Sequence, residues 1–482
     1  MAKPQGPVVV WFREDLRLSD HPPLTAAVES GRPIIPLYVL DATPERRPLG
    51  GASLWWLDKS LRAHGAALEA LGSRLTLRRG PAVETVLALV DAVGAGAVVW
   101  TRSVEAFGKA QNAALTGALA ERGVGLQTFN SNLLHDPERV RTGAGAPFRM
   151  YAAFRNAVAP SFGGIAPLPC PERLEAPEAW PDSDDLDAWS LHPTKPDWST
   201  GFSDWRPGEA GARERLDRFL LDALGAYDAH RNLPHVEGTT RLSPHLRFGE
   251  ISPRQILCAA KAAAAARPEL EAAEGKLSFE VAWREFHYHL LAHNPDMAER
   301  ALRPQFERFP FRQDAAALAA WTGARTGYPI VDAGLRQLWT TGWMHNRVRL
   351  IAASFLVKHL LIDWREGERW FWDTLVDADP ANNPASWQWV AGAGIDAAPY
   401  FRIFNPVIQA ERFDPEGEYV RRYVPELARL PTRYLNAPWA APKSLLAEAG
   451  VQLGRDYPEP IVDHAFARKR ALDALATLKT ET

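Results

Sequence analysis

The sequence predicts an α/β domain with a parallel five-stranded sheet, followed by an all-α domain. Short apolar runs alternate with helix-like segments over the first 130 residues or so, which is typical of strands buried on both faces of a Rossmann-like sheet. Beyond residue 211, apolar residues recur at helical spacing and strand candidates are nearly absent. A chain of 482 residues is too long for one ordinary core, so we expect at least two domains.

The predicted sheet begins with the apolar run 8–12. Further strands are predicted at 33–40, 75–77, 97–100 and 125–129, and helices between them at 24–29, 52–71, 83–93 and 109–122. Ligands of parallel sheets lie beyond the carboxyl ends of the strands. We therefore expect any ligand of this domain near residues 11–13, 41–43 and 101–105.

Residues 133–211 are the predicted linker between an N-terminal domain (1–132) and a helical domain (212–482). From about Ala159 to Gly211, Pro, Asp and Trp recur without a period, which indicates an irregular connection whose tryptophans pack against a domain. Beyond it, helices are predicted at 214–227, 253–266, 277–292, 315–321, 332–340 and 347–361, and a final short helix in the tail 438–482.

Composition excludes several classes of protein. A hydrophobic content of 46% and a charged content of 23% are typical of a soluble globular chain. Because no apolar run reaches the length of a membrane span and the N-terminus lacks a signal-peptide core, we expect a cytoplasmic protein. We also expect it to be a monomer. Cys170 and Cys258 are too few for a disulfide framework or a cysteine-ligated cluster, and the histidines show no metal-binding spacing. With a net charge of −3, any DNA partner needs a local basic patch.

The segment 342–406 mixes basic and aromatic side chains within an apolar stretch. Asp377 and Asp379 lie between two groups of tryptophans. The basic and aromatic residues are Arg347, Arg349, Arg365, Arg369, Arg402, Trp364, Trp370, Trp372, Trp387 and Trp389. Stacking surfaces beside fixed cations suit a flat, partly anionic heterocycle, a nucleic acid, or both. The alternative is a tryptophan-rich helical core with solvated arginines.

Two shorter stretches also carry candidate binding residues. Gly238 to Arg241 supplies hydroxyls, backbone N–H groups and a guanidinium that suit a phosphate, although a helix N-cap at Ser243 explains the same pattern. Glu280, Trp283 and Arg284 lie on one helical face and could receive a base. The alternative there is an exposed Glu280–Arg284 pair of small energetic value.

Several motifs, in order along the chain, resemble the DNA photolyase and cryptochrome family. They are WFREDLRLSDHPPL, EGTTRLSPHL, WREF, TGYPIVDAGLRQL, TGWMHNRVRL, DADPANNPASWQW and DAAPYFRIFNP. The resemblance runs from the first strand to about Phe413, and within the family it points to the bacterial photolyases nearest to plant cryptochromes. It implies an α/β antenna domain joined to a helical domain that encloses FAD.

The resemblance also implies roles for individual residues. Those expected to hold FAD are Tyr227, Thr239, Thr240, Arg241, Leu242, Ser243, Asn346, Arg349, Asp377, Asp379 and Asn383. Arg349 and Asp377 are expected to form a buried pair against the isoalloxazine, with Asp379 at the ring edge. Asn383 stands where photolyases have Asn facing flavin N5 and plant cryptochromes have Asp, which favours repair over signalling.

On the substrate side, Asn346 and Arg347 match the cyclobutane pyrimidine dimer pattern and not the histidine-rich (6-4) pattern. Trp283 and Trp389 are expected to flank a flipped dimer while Glu280 hydrogen-bonds its carbonyl and stabilises the charge that develops on it. Arg231, Arg347 and Arg402 are expected to hold phosphates.

The implied function is light-driven repair of pyrimidine dimers in DNA by electron transfer from photoexcited reduced FAD. The alternative is a blue-light photoreceptor of the cryptochrome type without repair activity.

Electron supply and light harvesting are less completely specified by the resemblance. Trp387 and Trp364 match the first two members of the family's electron-transfer chain, but Phe311 replaces the usual third tryptophan. Trp370 or Trp372 could replace that member. Phe107 and Gly108 replace the Asn-Glu pair of folate-binding members. For the antenna we prefer methenyltetrahydrofolate, with a deazaflavin, flavin mononucleotide or an empty site as alternatives.

Overall fold

The computed structural model contains one sheet of five parallel strands in the order β3-β2-β1-β4-β5. It describes residues 6–162, 166–194, 196–396 and 401–478. The strands are β1 (Val8–Phe12), β2 (Ile34–Asp41), β3 (Thr76–Gly80), β4 (Ala97–Thr101) and β5 (Gly125–Phe129). In the central register, Val9 of β1 lies opposite Ile35 of β2 and Val98 of β4. The predicted five-stranded α/β fold is confirmed.

Strand β1 shows why its sequence is apolar without alternation. Val9 and Trp11 belong to one core cluster on one face of the sheet, and Val8, Val10 and Phe12 on the opposite face are also buried. A strand covered on both faces has no solvent-facing position for a polar residue. This is the pattern from which the parallel sheet was predicted.

Twenty α-helices accompany the sheet in the described part of the chain. The first ten are α1 (Pro22–Glu29), α2 (Gly51–Ala70), α3 (Ala82–Val93), α4 (Ala106–Glu121), α5 (Tyr151–Val158), α6 (Glu209–Arg218), α7 (Tyr227–His230), α8 (Ser243–Arg247), α9 (Pro253–Ala266) and α10 (Glu271–His293). The others are α11 (Ala315–Thr322), α12 (Pro329–Thr341), α13 (Asn346–Ser354), α14 (Trp364–Thr374), α15 (Asn382–Ala391), α16 (Pro406–Phe413), α17 (Glu418–Tyr423), α18 (Thr432–Leu435), α19 (Lys443–Ala449) and α20 (His464–Thr477). None of these helices is both long and apolar enough to cross a membrane.

The chain divides into two compact units. The first comprises Met1–Asp197, Asp204–Gly225 and Thr240–Pro295, and the second comprises Trp198–Ser203, Ala226–Thr239 and Asp296–Thr482. Helices α8 to α10 therefore belong to the same unit as the sheet. The predicted domain boundaries at residues 132 and 211 stay predictions.

A close backbone contact fixes the α8 region within the first unit. The backbone N–H of Leu16 donates to the carbonyl oxygen of Phe248 at 3.0 Å. Gly249 follows with a φ of +64°, and a Cβ there would lie 2.1 Å from the carbonyl oxygen of Glu14. Only glycine accommodates both the left-handed conformation and this approach.

The second unit is helical, as predicted. Outside an isolated bridge between Leu453 and Tyr457, its described residues form no strand. The predicted helix 347–361 is α13 followed by a π-helical turn at Phe355–His359, and Leu361 then adopts a positive φ of 55°. The straight helix was wrong because an apolar stretch does not reveal where the helical hydrogen-bond pattern changes.

Several other helices were missed, among them α5, α8 and α14 to α18. In α15 the apolar residues show little helical period, whereas the buried positions of α14 recur at helical spacing and could have indicated that helix. Helix α5 lies inside the predicted linker. The other described residues of that linker form three short 3₁₀ helices, the start of α6 and irregular connections. Trp189 and Trp205 in it are buried, as its composition indicated.

Candidate functional site

A buried ion pair joins Arg349 of α13 to Asp377, which follows α14. The Nη2 atom of Arg349 lies 2.7 Å from Oδ2 of Asp377, and its Nε donates to the carbonyl oxygen of Met344 at 2.7 Å. The Asp377 side chain is only 2% exposed, and its Oδ1 has no hydrogen-bond partner among the described residues. A buried carboxylate oxygen without a donor is costly. The pair thus offers one acceptor to a bound group, which fits the N–H of a flavin ring.

Asp379 fixes the start of helix α15. Its Oδ1 accepts hydrogen bonds from the backbone N–H groups of Ala381 and Asn382 at 2.9 and 2.7 Å, and from the Asn382 side chain at 2.8 Å. Negative charge at a helix N-terminus is stabilised by the helix dipole. Asp379 therefore positions the helix that carries Asn383, Trp387 and Trp389.

The Asn383 amide has a fixed orientation. Its Nδ2 donates to the backbone oxygen of Glu368 at 3.1 Å and to Oε1 of the same residue at 2.9 Å. Glu368 is 1% exposed and lies on the buried stripe of α14. The sequence analysis missed Glu368, although an acidic residue within an apolar helical stripe is a signal that could have indicated it. Because Glu368 holds the amino group of Asn383, its amide carbonyl is directed away from Glu368.

Trp387 and Trp364 are both buried in the core of the second unit. The Trp387 ring packs edge-on against Phe371, with centroids 4.9 Å apart, and against Trp321 at 6.1 Å. A Cβ at Gly367 would lie 2.1 Å from the Trp387 ring, so this approach requires glycine. Trp321 is fully buried and was not named in the sequence analysis.

Phe311, which replaces the usual third tryptophan, and Trp370, a candidate substitute for it, lie in separate aromatic groups. Phe311 is half-buried, with its ring centroid 4.8 Å from that of Phe309. Trp370 stacks on Trp339 at 5.9 Å with nearly parallel planes, and Trp339 stacks on Trp198 at 5.2 Å. Trp339 is 42% exposed, so this stack of three indoles reaches solvent.

Three other arginines of the second unit lie close enough to Arg347 to influence its charge. Burial lowers the pKa of the Arg347 guanidinium, and the positive charges of Arg231, Arg412 and Arg402 lower it further. Arg347 donates to Oδ1 of Asn232 at 2.7 Å, and no carboxylate among the described residues forms an ion pair with it. The structure thus brings the three predicted phosphate-binding arginines together and adds Arg412, which the sequence analysis missed. Such a local basic group is what a chain of net negative charge needs to bind DNA.

Asn346 and Trp389 lie at the ends of their helices. Asn346 is exposed at the first position of α13, after His345 caps that helix through a hydrogen bond from the backbone N–H of Arg347 at 3.2 Å. Trp389 is half-buried near the end of α15 and lines a cavity of about 460 Å³ together with Arg402. Residues 397–400, within the DAAPYFRIFNP motif, lie outside the described residues.

The predicted phosphate segment is divided between the two units. Tyr227 is buried in the second unit, where the Arg231 guanidinium lies 5.5 Å from its ring centroid, and Thr239 ends that segment. Thr240 begins the next segment of the first unit, and its hydroxyl oxygen accepts a hydrogen bond from the N–H of Leu242 at 3.2 Å.

The turn before α8 contains the other predicted phosphate residues. Arg241 has a positive φ of 49°, and Leu242 is buried. Ser243 is exposed and is the first residue of α8, while Leu242 is the N-cap and makes no side-chain capping bond. The alternative of an N-cap at Ser243 is therefore wrong by one residue, because the helical conformation begins at Ser243 itself.

In the first unit, Trp283 of α10 is stacked on one face by Tyr151. Their ring centroids are 3.6 Å apart and their planes differ by 5°. The hydroxyl of Tyr151 donates to the carbonyl oxygen of Phe279 at 2.6 Å, and burial, with the nearby Glu280 charge, raises the pKa of Tyr151. Tyr151 was missed because it lies 132 positions from Trp283 in the sequence.

Arg284 does not pair with Glu280. Its Nη1 donates to the carbonyl oxygen of Asn132 at 2.8 Å, and the residue is 9% exposed. The alternative of an exposed Glu280–Arg284 pair is wrong, because Arg284 faces the interior of the unit.

No group of three or more potential metal ligands occurs among the described residues.

At the carboxyl edge of the sheet, the expected ligand region contains a polar network. Arg13 donates to the side-chain oxygens of Asn112 and Gln111, both at 3.1 Å, and Gln111 donates to Asp41 at 2.7 Å. The Arg13 guanidinium lies 4.6 Å from the centroid of the Trp11 ring. Side chains at the carboxyl ends of β1 and β2 therefore join one polar network through Gln111.

Comparison with known proteins covers both parts of the chain. Residues 8–172 match the family model of DNA photolyase, and residues 277–477 match the model of the FAD binding domain of DNA photolyase. A deoxyribodipyrimidine photo-lyase of Agrobacterium fabrum is 50% identical over the full length of both chains. The chain belongs to the DNA photolyase and cryptochrome family.

Other family members resemble this chain along most of its length. A class III photolyase from Agrobacterium tumefaciens has a solved structure that superposes with a TM-score of 0.95 at 50% identity, covering 99% of this chain and 98% of that one. Cryptochrome-1 of Arabidopsis thaliana is 36% identical over 98% of this chain and 70% of its own length.

The family's FAD-binding region contains five of the eleven predicted cofactor residues. Asn346, Arg349, Asp377, Asp379 and Asn383 fall within residues 277–477, whereas Tyr227 and residues 239–243 precede it. The individual assignments stay predictions.

Proposed function

We propose that this photolyase-family chain repairs cyclobutane pyrimidine dimers in DNA by light-driven electron transfer, with FAD in the second unit. The observation that carries the proposal is the Arg349–Asp377 pair, in which one buried carboxylate oxygen has no donor among the described residues. When bound, reduced FAD absorbs blue light and supplies the electron that splits the dimer.

Arg349 and Asp377 hold the flavin and set its electrostatic environment. Asp377 accepts a hydrogen bond from the ring at Oδ1, while Arg349 compensates the carboxylate at Oδ2. A paired charge can remain buried where an unpaired one would not. Arg349 also places a fixed positive charge where it favours an electron-rich flavin.

Asn383 keeps a proton donor away from the flavin. Both hydrogen bonds of its amino group go to Glu368, so the amide carbonyl is the group left to face a ligand. A neutral amide does not release a proton at ordinary pH, unlike the Asp of plant cryptochromes. This residue therefore supports repair in preference to signalling.

Trp387 and Trp364 supply electrons to an oxidised flavin. Their indoles are buried and oxidisable, and Phe371 and Trp321 hold the Trp387 ring in one orientation. Because Phe311 is much harder to oxidise than tryptophan, Trp370 is the better candidate for the solvent end of the route. Its stack with Trp339 and Trp198 supports this choice.

DNA binding is proposed from two separate groups of residues. In the second unit, Arg231, Arg347, Arg402 and Arg412 bind backbone phosphates. In the first unit, Trp283 offers a base the face that Tyr151 does not cover, and Glu280, in its protonated form, donates a hydrogen bond to the carbonyl of the dimer. Extruding a dimer costs less than extruding a normal base because the dimer pairs poorly.

One assay tests the proposal and its alternative. Purified FAD-loaded protein, reductant and a dimer-containing oligonucleotide are exposed to blue light, and loss of dimers is followed by absorbance. Repair under light and none in the dark is the expected result. A photoreceptor without repair, the alternative suggested by the cryptochrome relatives, would instead change its flavin absorbance under light and leave the dimers intact.

The second chromophore stays a prediction as well. Chromophores released by denaturing the purified protein can be separated and identified by mass. Methenyltetrahydrofolate is the expected species, and a deazaflavin or flavin mononucleotide would contradict that preference.

A further inference from the structure

The indole of Trp364 is in contact with the guanidinium of the next residue, Arg365. The Cζ atom of Arg365 lies 4.8 Å from the centroid of the Trp364 ring. Trp364 is 1% exposed and the Arg365 side chain is 18% exposed, so water screens this contact only weakly. Side chains of adjacent helical residues do not normally face each other. The contact therefore depends on the groups that hold Arg365 in place.

Two carboxylates and one backbone oxygen hold the Arg365 guanidinium. Its Nη2 donates to both carboxylate oxygens of Glu307, at 2.8 and 2.7 Å, and its Nη1 donates to Oδ2 of Asp363 at 2.9 Å. Its Nε donates to the carbonyl oxygen of Glu299 at 2.6 Å. Because all three nitrogens of this planar group are engaged, its position against the indole is fixed.

Both carboxylates are in turn fixed by backbone N–H groups. Oδ1 of Asp363 accepts a hydrogen bond from the N–H of Arg365 at 2.9 Å and caps α14. Oε1 of Glu307 accepts one from the N–H of Ala301 at 2.5 Å. Trp364 therefore lies beside a built cluster of one guanidinium and two carboxylates.

The cluster acts differently on the two charge states of Trp364. The face of a neutral indole attracts a cation. Once the ring has lost one electron it is positively charged, so it repels the guanidinium and attracts the carboxylates. Arg365 therefore disfavours the oxidised state of Trp364, whereas Glu307 and Asp363 favour it.

We propose that Arg365 is a positioning residue of the electron route, which acts through Trp364 by limiting how long a positive charge stays there. This inference rests on the proposed function, in which Trp364 gives one electron to oxidised Trp387. Trp387 then returns to its neutral form, and Trp364 is a radical cation until it takes one electron from a further tryptophan or from a thiol in solution. Since Phe311 is too hard to oxidise to be that next donor, the repulsion from Arg365 favours departure of the charge towards another one.

The test measures the lifetime of the tryptophan radical by transient absorption after a flash. Full-length protein loaded with oxidised FAD is used, with a thiol in solution, and a Trp364→Phe variant identifies the part of the signal that depends on Trp364. Arg365→Met should lengthen that lifetime by about tenfold or more, because Glu307 and Asp363 are then uncompensated. Glu307→Gln should shorten it by about threefold or more. Arg365→Lys keeps the charge and should restore a lifetime close to that of the wild type.

The opposite signs separate this electrostatic role from a structural one. Arg365→Met and Glu307→Gln break the same ion pair, so a loss of structure alone would change the lifetime in the same direction in both variants. Changes of the same sign, or an unchanged lifetime in Arg365→Met, would overturn the inference. If Arg365→Met does not fold, Asp363→Asn replaces it and should shorten the lifetime as Glu307→Gln does; an unchanged or longer lifetime in either variant would overturn the inference.

Repair by the chemically reduced wild type is measured separately and does not need Trp364. Repair without any radical that depends on Trp364 would overturn this inference and leave the proposed repair standing. Lifetimes that change as expected in a protein that repairs no dimers would support the inference and contradict the proposed repair.

Discussion

Replacing Asp377 with Asn should destabilise the second unit and weaken its hold on FAD. The substitution removes the negative charge that lies 2.7 Å from Arg349, while the Asp377 position is only 2% exposed. Breaking a buried ion pair by removing one partner costs about 3–5 kcal/mol. Because the Arg349 side chain is 22% exposed and keeps its bond to Met344, we expect the lower end, about 3 kcal/mol.

A loss of this size is measurable by thermal unfolding. For a unit of roughly 200 residues, each kcal/mol shifts the midpoint by about 2–4 °C, so the Tm of Asp377→Asn should fall by about 6–12 °C. The FAD content of the purified protein should fall as well, because Oδ1 of Asp377 is the proposed flavin acceptor. Absorbance at the flavin band, measured against protein, gives this second readout.

Glu426→Gln provides a matched control. Glu426 also forms an ion pair at 2.7 Å, with Arg336, but these side chains are 24% and 28% exposed. Partly exposed pairs contribute about 0–1 kcal/mol, so this variant should melt within about 4 °C of the wild type and keep its FAD. If Asp377→Asn melts like the control and retains its flavin, the account of the buried pair is refuted.

Three other substitutions test separate parts of the proposal. Trp364→Phe should abolish photoreduction of the oxidised flavin while repair by chemically reduced protein survives, and unaffected photoreduction would refute the route through Trp364. Arg347→Ala should weaken binding to dimer-containing and undamaged DNA alike, and it should reduce the steepness of log K against log salt by about 1. Arg455→Ala is the control, because Arg455 forms an exposed pair with Asp456. An unchanged slope for Arg347→Ala would exclude a phosphate contact. Tyr151→Ala should lower the affinity for dimer-containing DNA by about 2–10-fold, since an aromatic pair contributes about 0.5–1.5 kcal/mol. Tyr151→Phe keeps the stack and serves as the control. Equal affinities of the two variants would show that the stack does not support Trp283.

The sequence allowed the fold to be predicted where local pattern and burial coincide. Strand β1 is apolar at every position because both of its faces are covered, and that pattern is readable without the structure. The segment after α13 shows what the pattern could not reveal. Phe355–His359 continue the apolar run of that helix, but the run does not indicate that the helical hydrogen bonds change to a π-helical turn there.

Most candidate site residues came from the resemblance, and their contacts came from tertiary packing. Arg349 and Asp377 are 28 positions apart, and their pairing could be expected only from the family motifs. Glu368, Arg412 and Tyr151 were missed because each gains its role from a partner on another element. The stack of Trp198, Trp339 and Trp370 likewise joins three distant segments, so no local spacing indicates it.

The most direct test of the central claim is a single-flash experiment on reduced, FAD-loaded protein bound to dimer-containing DNA without oxygen. The account predicts that dimers disappear after the flash and that the flavin absorbance afterwards is the same as before, because the electron returns to its donor. Dimers that persist after every flash while FAD is present and reduced would contradict the account.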